Sequence, residues 1–158
     1  MDSAVDFVGA ARLHVALHAS DLERSTAFYR TLLGAEPSKV RPGYVKFEPA
    51  EPSVNLTLNE SPSGRAAVSH FGVQVKTIAA VEAARRRFEA VGWPVEVEEQ
   101  VDCCYAVQNK VWIADPDGNR WEVFVTTQAD SSGRGGDAAG AACCSTEPLV
   151  AIGGSRAC

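Results

Sequence analysis

The chain has 158 residues, 46% hydrophobic and 22% charged, with a formal net charge of -5, enough for one globular domain with a core. The acidic balance argues against nucleic acid or an anionic membrane surface as partner, and no run of about 18 apolar residues offers a membrane span. Five cysteines, four of them in two adjacent pairs, are no secreted disulfide framework, and the acidic N-terminus lacks the pattern of a signal peptide, so a reducing, cytoplasmic setting is expected.

Residues 1–11 are weakly patterned and read as an extension. Leu13-His-Val-Ala-Leu-His-Ala19 alternates as a half-buried strand does. Ser20-Asp-Leu-Glu23 reads as a capping box, followed by Leu22, Tyr29 and Leu32/Leu33 at helical spacing, with Gly34 as the stop. Tyr44–Phe47 and Val54–Leu58 are strand-like, separated by a turn at Pro49–Pro52, and residues 60–67 are a connector by composition.

The same order then repeats. Ser69–Val75 is a strand, and Thr77 caps a helix with Ile78, Val81, Ala84/Arg85, Phe88 and Val91 on one stripe, ended by Gly92. Pro94–Val97, Lys110–Ala114 and Arg120–Val125 are strands, the last two joined by the turn Asp115-Pro-Asp-Gly-Asn119. The second half is thus βαβββ, the first half is read as its copy, and the chain is an internal duplication. The expected division is an extension at 1–11, a domain at 12–127 (module one 12–60, module two 68–127) and a tail at 128–158. That tail, rich in Gly, Ala and Ser and carrying Cys143, Cys144 and Cys158, is too poor in large apolar groups to build a core and is expected to be disordered.

Aligning the halves sets His14 on His70, His18 on Gln74 and, in the last strands, Asn55 on Glu122. A two-fold repeat brings equivalent positions around one cavity, so two histidines and one carboxylate can face a common point. That donor set, His14, His70 and Glu122, is the facial triad of non-haem Fe(II) sites that activate oxygen. His18, on the same strand face as His14, is the alternative first ligand. Cys103-Cys104 is a poor structural disulfide, because closing a ring between neighbours strains the peptide. It suits a soft centre able to take two sulfurs, provided a bend in an expected loop turns both thiols the same way. Cys143-Cys144 are possible secondary thiols. Trp112 and Trp121 are expected in the core or the cavity wall.

Taken together, His14-Val-Ala-Leu-His-Ala-Ser-Asp-Leu-Glu-Arg-Ser-Thr-Ala-Phe-Tyr-Arg30, Lys39–Phe47, His70-Phe-Gly-Val-Gln-Val75 and Cys103-Cys-Tyr-Ala-Val-Gln-Asn-Lys-Val-Trp-Ile-Ala-Asp-Pro-Asp-Gly-Asn-Arg-Trp-Glu-Val-Phe124 resemble the vicinal oxygen chelate superfamily. More narrowly, they resemble its branch of organoarsenical C–As lyases (ArsI) and cadmium-induced proteins (CadI). The resemblance implies an α+β fold of two βαβββ modules forming a curved mixed sheet around a metal cavity. It implies Fe(II) on His14, His70 and Glu122, and a trivalent organoarsenical on Cys103 and Cys104. The activity implied is an O2-dependent cleavage of the carbon–arsenic bond. The rival from another class is a protein that sequesters cadmium or arsenite through Cys103, Cys104 and the tail thiols without turnover. A glyoxalase-like enzyme on another metal would leave Cys103-Cys104 without a purpose. Pairing of two chains into a homodimer stays open.

Overall fold

The computed structural model describes residues 2–131, so the expected tail thiols Cys143, Cys144 and Cys158 lie outside the described residues. Ten elements run in the order β1 (Ala11–Ala19), α1 (Leu22–Leu33), β2 (Lys39–Arg41), β3 (Tyr44–Phe47), β4 (Val54–Glu60), β5 (Ala67–Val75), α2 (Ile78–Ala90), β6 (Glu96–Cys103), β7 (Ala106–Ala114) and β8 (Arg120–Gln128). The fold is α+β, a βαβββ unit given twice, as expected. All eight strands join one mixed sheet in the order β2-β3-β4-β1-β5-β8-β7-β6. β1 pairs parallel with β4, and β5 with β8. The antiparallel β1–β5 pair welds the halves at the centre.

Both helices cover one face of the sheet. Val81 and Ala84 of α2 are buried with Val75, Val111, Ile113, Val123 and Val125, while Leu22, Tyr29 and Leu33 of α1 pack against Val45, Phe47, Leu56 and Leu58. The helical stripes put these residues on one side, and burial of that side stabilises the helices more than propensity does. Gly34 caps α1 in the left-handed conformation, as its place predicts. The N-cap of α1 is Asp21, accepting from the Arg24 amide at 2.9 Å, rather than Ser20. The shift by one residue moves the capped amide from Glu23 to Arg24, still the third residue after the cap.

The other face of the sheet is concave, and its lining is polar yet buried. Along β1, Arg12, His14 and Ala16 are buried while Leu13 is exposed. β2 is a strand that periodicity does not mark; its three residues pair with β3 at the sheet edge. β6 runs six residues beyond the expected Val97, so Cys103 ends a strand instead of lying in a loop.

Candidate metal centre

The register of the sheet sets the site. His14 faces Gly72, and Gly72 faces Glu122, forming one row across β1, β5 and β8. Thr57 faces Ala16, and Ala16 faces His70, forming a second row across β4, β1 and β5. The two rows are related by the duplication, and each draws on both halves. The counterpart of Glu122 is therefore Thr57, not Asn55, which corrects the repeat alignment by one pleat. Asn55 is instead the strand neighbour of His14. The fourth corner of the site is a hydroxyl that carries no charge.

His14, His70 and Glu122 offer three ligand atoms all within 4.8 Å of one another. Both Nε2 atoms lie 3.6 Å from Glu122 Oε1, too far for hydrogen bonds. Atoms each about 2.1 Å from one ion and in neighbouring coordination positions lie about 3.0–3.4 Å apart, close to what is seen. His14 Nδ1 is 2.9 Å from the Asn55 carbonyl oxygen. A carbonyl only accepts, so Nδ1 carries the proton and Nε2 is left with its lone pair toward the centre. Burial pushes His14 down to about 4, more than Glu122 draws it back up, and the ring is neutral at pH 7. His70 Nδ1 shares a 3.0 Å hydrogen bond with the Ser69 hydroxyl, and Trp112 stands edge-on to its ring at 5.0 Å. His18 is not among the converging atoms; a bulge after Ala16 separates it from the row of His14.

Several side chains that hold these three residues in place were missed by the sequence reading. Lys110 donates to Glu122 Oε2 at 2.7 Å. The signal was present, because Gln108, Lys110 and Trp112 alternate with Val111 and Ile113, which puts a lysine on an inward face. Gly72 leaves room for Glu122, and a glycine inside a strand is the mark of such a close approach. Behind Asn55, Arg12 Nε and Asn55 Nδ2 both donate to Gln74 Oε1, and Gln74 Nε2 donates to Thr126 Oγ1. Arg12 also pairs with Glu48.

Cys103 and Cys104 occupy the β6–β7 hairpin. Cys104 and Tyr105 are its two turn residues, with φ of 55° and 62°, the sign that a type I′ loop requires at both positions. The bend brings the two thiols to an Sγ–Sγ distance of 3.3 Å without a bond. The Tyr105 carbonyl accepts from Lys39 Nζ at 3.1 Å and from the Ser131 amide at 3.0 Å. Lys39 Nζ also donates to the Ala129 carbonyl at 2.7 Å, so residues just past β8 stay bound to the hairpin. One cleft is lined by His14, His70, Glu122, Cys103 and Cys104 together, with Lys110 among the other walls. Trp112 is buried beside it, whereas Trp121 lies against Phe71 at 5.0 Å.

Residues 12–123 match the family described as the Glyoxalase/Bleomycin resistance protein/Dioxygenase superfamily. The chain is similar to a trivalent organoarsenical cleaving enzyme of Thermomonospora curvata, at 41% identity over 150 residues, covering 85% of this chain and 99% of that one. It is also similar to the cadmium-induced protein CadI of Mycobacterium tuberculosis, at 38% over 153 residues, covering 92% and 99%. Among solved structures, the 2,3-dioxygenase LapB of Pseudomonas sp. KL28 superposes with a TM-score of 0.57 at 20% identity. That match covers 80% of this chain and 46% of LapB, and it speaks to the fold alone.

Proposed function

This chain belongs to the Glyoxalase/Bleomycin resistance protein/Dioxygenase superfamily, and from that premise we propose that it is an Fe(II)- and O2-dependent enzyme cleaving the carbon–arsenic bond of trivalent organoarsenicals. The observation that carries the reading is that a thiol pair and a two-histidine, one-carboxylate set line the same cleft. The donors fit Fe(II): two imidazole nitrogens and one carboxylate oxygen are the ligand types of the non-haem iron triad, and Thr57 at the fourth corner adds no anion.

The thiols bind the substrate. Each replaces a hydroxyl on arsenic, forming a sulfur–arsenic bond as a water leaves. Arsenic then carries two sulfurs and its organic group. The turn fixes the direction of both thiols, so the organic carbon is oriented toward His14, His70 and Glu122, and positioning of this kind is a large part of catalysis. Bound Fe(II) supplies the electron transfer that lets O2 react with an organic carbon. Trp112 and Phe124 keep the surroundings dry, while Lys110 keeps Glu122 ionised and in place. The balance for a methyl group is methylarsenite plus O2 giving formaldehyde and arsenite.

The second reading, sequestration of cadmium or arsenite, is favoured by the thiol pair itself and by the relative named as cadmium-induced. Loading with Fe(II) without air, then adding methylarsenite and air, separates the two. Oxygen-dependent arsenite in excess over protein is expected. Stoichiometric arsenic capture without release, at verified iron occupancy, would leave the sequestering role.

A further inference from the structure

Neighbouring residues in a regular strand point to opposite faces, yet the sulfurs of Cys103 and Cys104 stand 3.3 Å apart. The tight bend at Cys104 and Tyr105 brings them together. Their access differs: Cys103, the last residue of β6, is 2% exposed, whereas Cys104 in the turn is only half-buried. A clamp for arsenic uses both thiols alike, so it accounts for their contact but not for their unequal access. The walls around the pair are cationic. Lys39, Lys46 and Lys110 line the same cleft, with Glu122 as the one carboxylate among the described residues there. Ammonium groups nearby favour the thiolate, which is the form that a peroxide oxidises.

We propose that Cys103 and Cys104 form a reversible redox switch: hydrogen peroxide oxidises Cys104, and Cys103 then closes a disulfide that shuts the cleft to arsenic. The inference rests on reading the cleft as an organoarsenical site. The Cys104 thiolate attacks one peroxide oxygen, the O–O bond breaks, and Cys104 becomes a sulfenic acid. The departing hydroxide takes up the proton that the thiol shed. Cys103 Sγ then attacks Cys104 Sγ, the S–O bond breaks, and the oxygen leaves as water with the Cys103 proton. Two thiols have lost two electrons and two protons, and one peroxide has become two waters. The disulfide leaves no thiolate for arsenic. A ring closed between neighbours is strained, and strained disulfides are the labile ones, so a dithiol restores the clamp. Closure by Cys103 also spares Cys104 the irreversible higher oxidation states.

The test treats the full chain, before iron is loaded, with hydrogen peroxide and follows the tryptic peptide Phe88–Lys110, which holds Cys103 and Cys104 and none of the tail cysteines. The wild-type peptide is expected to lose two hydrogens and to regain them with dithiothreitol. Binding of phenylarsenite, measured by calorimetry, is expected to vanish and return in step. In Cys103→Ser, Cys104 is expected to go on to the sulfinic acid, gaining two oxygens. In Cys104→Ser, Cys103 is expected to stay reduced at the same dose. Equal oxidation of the two single variants would overturn the assigned roles. A wild-type peptide that keeps both thiols, or one joined to the tail peptide bearing Cys143 and Cys144, would overturn the switch while leaving the arsenical reading intact if the reduced protein binds phenylarsenite. A reversible disulfide in a protein that binds no phenylarsenite when reduced would uphold the redox pair and overturn the arsenical reading.

Discussion

Lys110 Nζ lies 2.7 Å from Glu122 Oε2, and both side chains are 2% exposed. Burial alone would push the lysine down and the carboxyl up. Their mutual attraction overrides it: Lys110 is held above the ordinary lysine value and Glu122 well below the carboxylate range. The pair therefore stays charged, and the lysine occupies one carboxylate oxygen. Oε1 is left to face both imidazoles.

Lys110→Met removes that anchor. Breaking a buried pair from one side costs about 3–5 kcal/mol, and loss of a group that orients a ligand weakens metal binding about 10–100-fold. Urea unfolding and Fe(II) titration measure the two effects. An unchanged iron affinity would show that Glu122 needs no such support.

Cys103→Ser or Cys104→Ser is expected to abolish turnover while leaving iron bound, since neither thiol belongs to the triad. His70→Ala is expected to lose both. The proposed activity would be sunk by a His70→Ala protein that releases arsenite at the full rate.

Gly72→Ala tests the close packing of the row. An added Cβ would stand 2.8 Å from Glu122 Cγ and 3.0 Å from its carbonyl oxygen. Overpacking of this sort costs about 1–3 kcal/mol, and iron affinity is expected to fall with it. Ala16, in the equivalent place of the other row, lies beside the smaller Thr57, which is why a methyl is accepted there.

How much of this was legible in the sequence follows from what alternation can report. Period-two patterning marked β1, β5 and β8, and the capping residues with Gly34 marked the helices. It did not tell which face of β1 is the better buried, because a cavity wall hides polar residues that a pattern assigns to water. His14 and His70 were found because they open equivalent strands. Thr57 was missed because no residue between the halves fixes the register of the closing strands to within a pleat. A bend at the cysteine pair was expected, but not its type, since type I′ loops are marked by Asn and Gly, and here a cysteine and a tyrosine take the left-handed backbone.

Stability without metal should depend on pH through His14. Its folded value of about 4 lies below the ordinary 6.5. Between these values the unfolded chain takes up a proton that the folded chain refuses, so stability falls as pH drops through that window. The full effect is roughly 3 kcal/mol. His14→Gln is expected to flatten the slope between pH 7 and 4.5 in chemical unfolding; an unaltered slope would place the pH dependence elsewhere.

Two truncations separate the candidate enzyme from the tail. Ending the chain at Ser131 removes Cys143 and Cys144 but keeps the bonds of Ala129, Asp130 and Ser131 to Lys39, Arg41 and Tyr105. Catalysis is expected to survive. Ending it at Gln128 removes those bonds and is expected to weaken arsenical binding about tenfold, comparable to the loss of one or two hydrogen bonds. A fall in stoichiometric metal capacity with the first truncation, in a protein without turnover, would favour sequestration.

The interleaved rows have a thermodynamic consequence. His14 comes from the first half and faces residues of the second, so neither half alone possesses a complete chelate. Any ion held there binds only the docked pair, and by mass action it stabilises the whole chain, by about 2.7 kcal/mol at a hundredfold excess over its dissociation constant. Such linkage makes the two halves melt as one cooperative unit, and the weld between them tightens each time the metal is loaded.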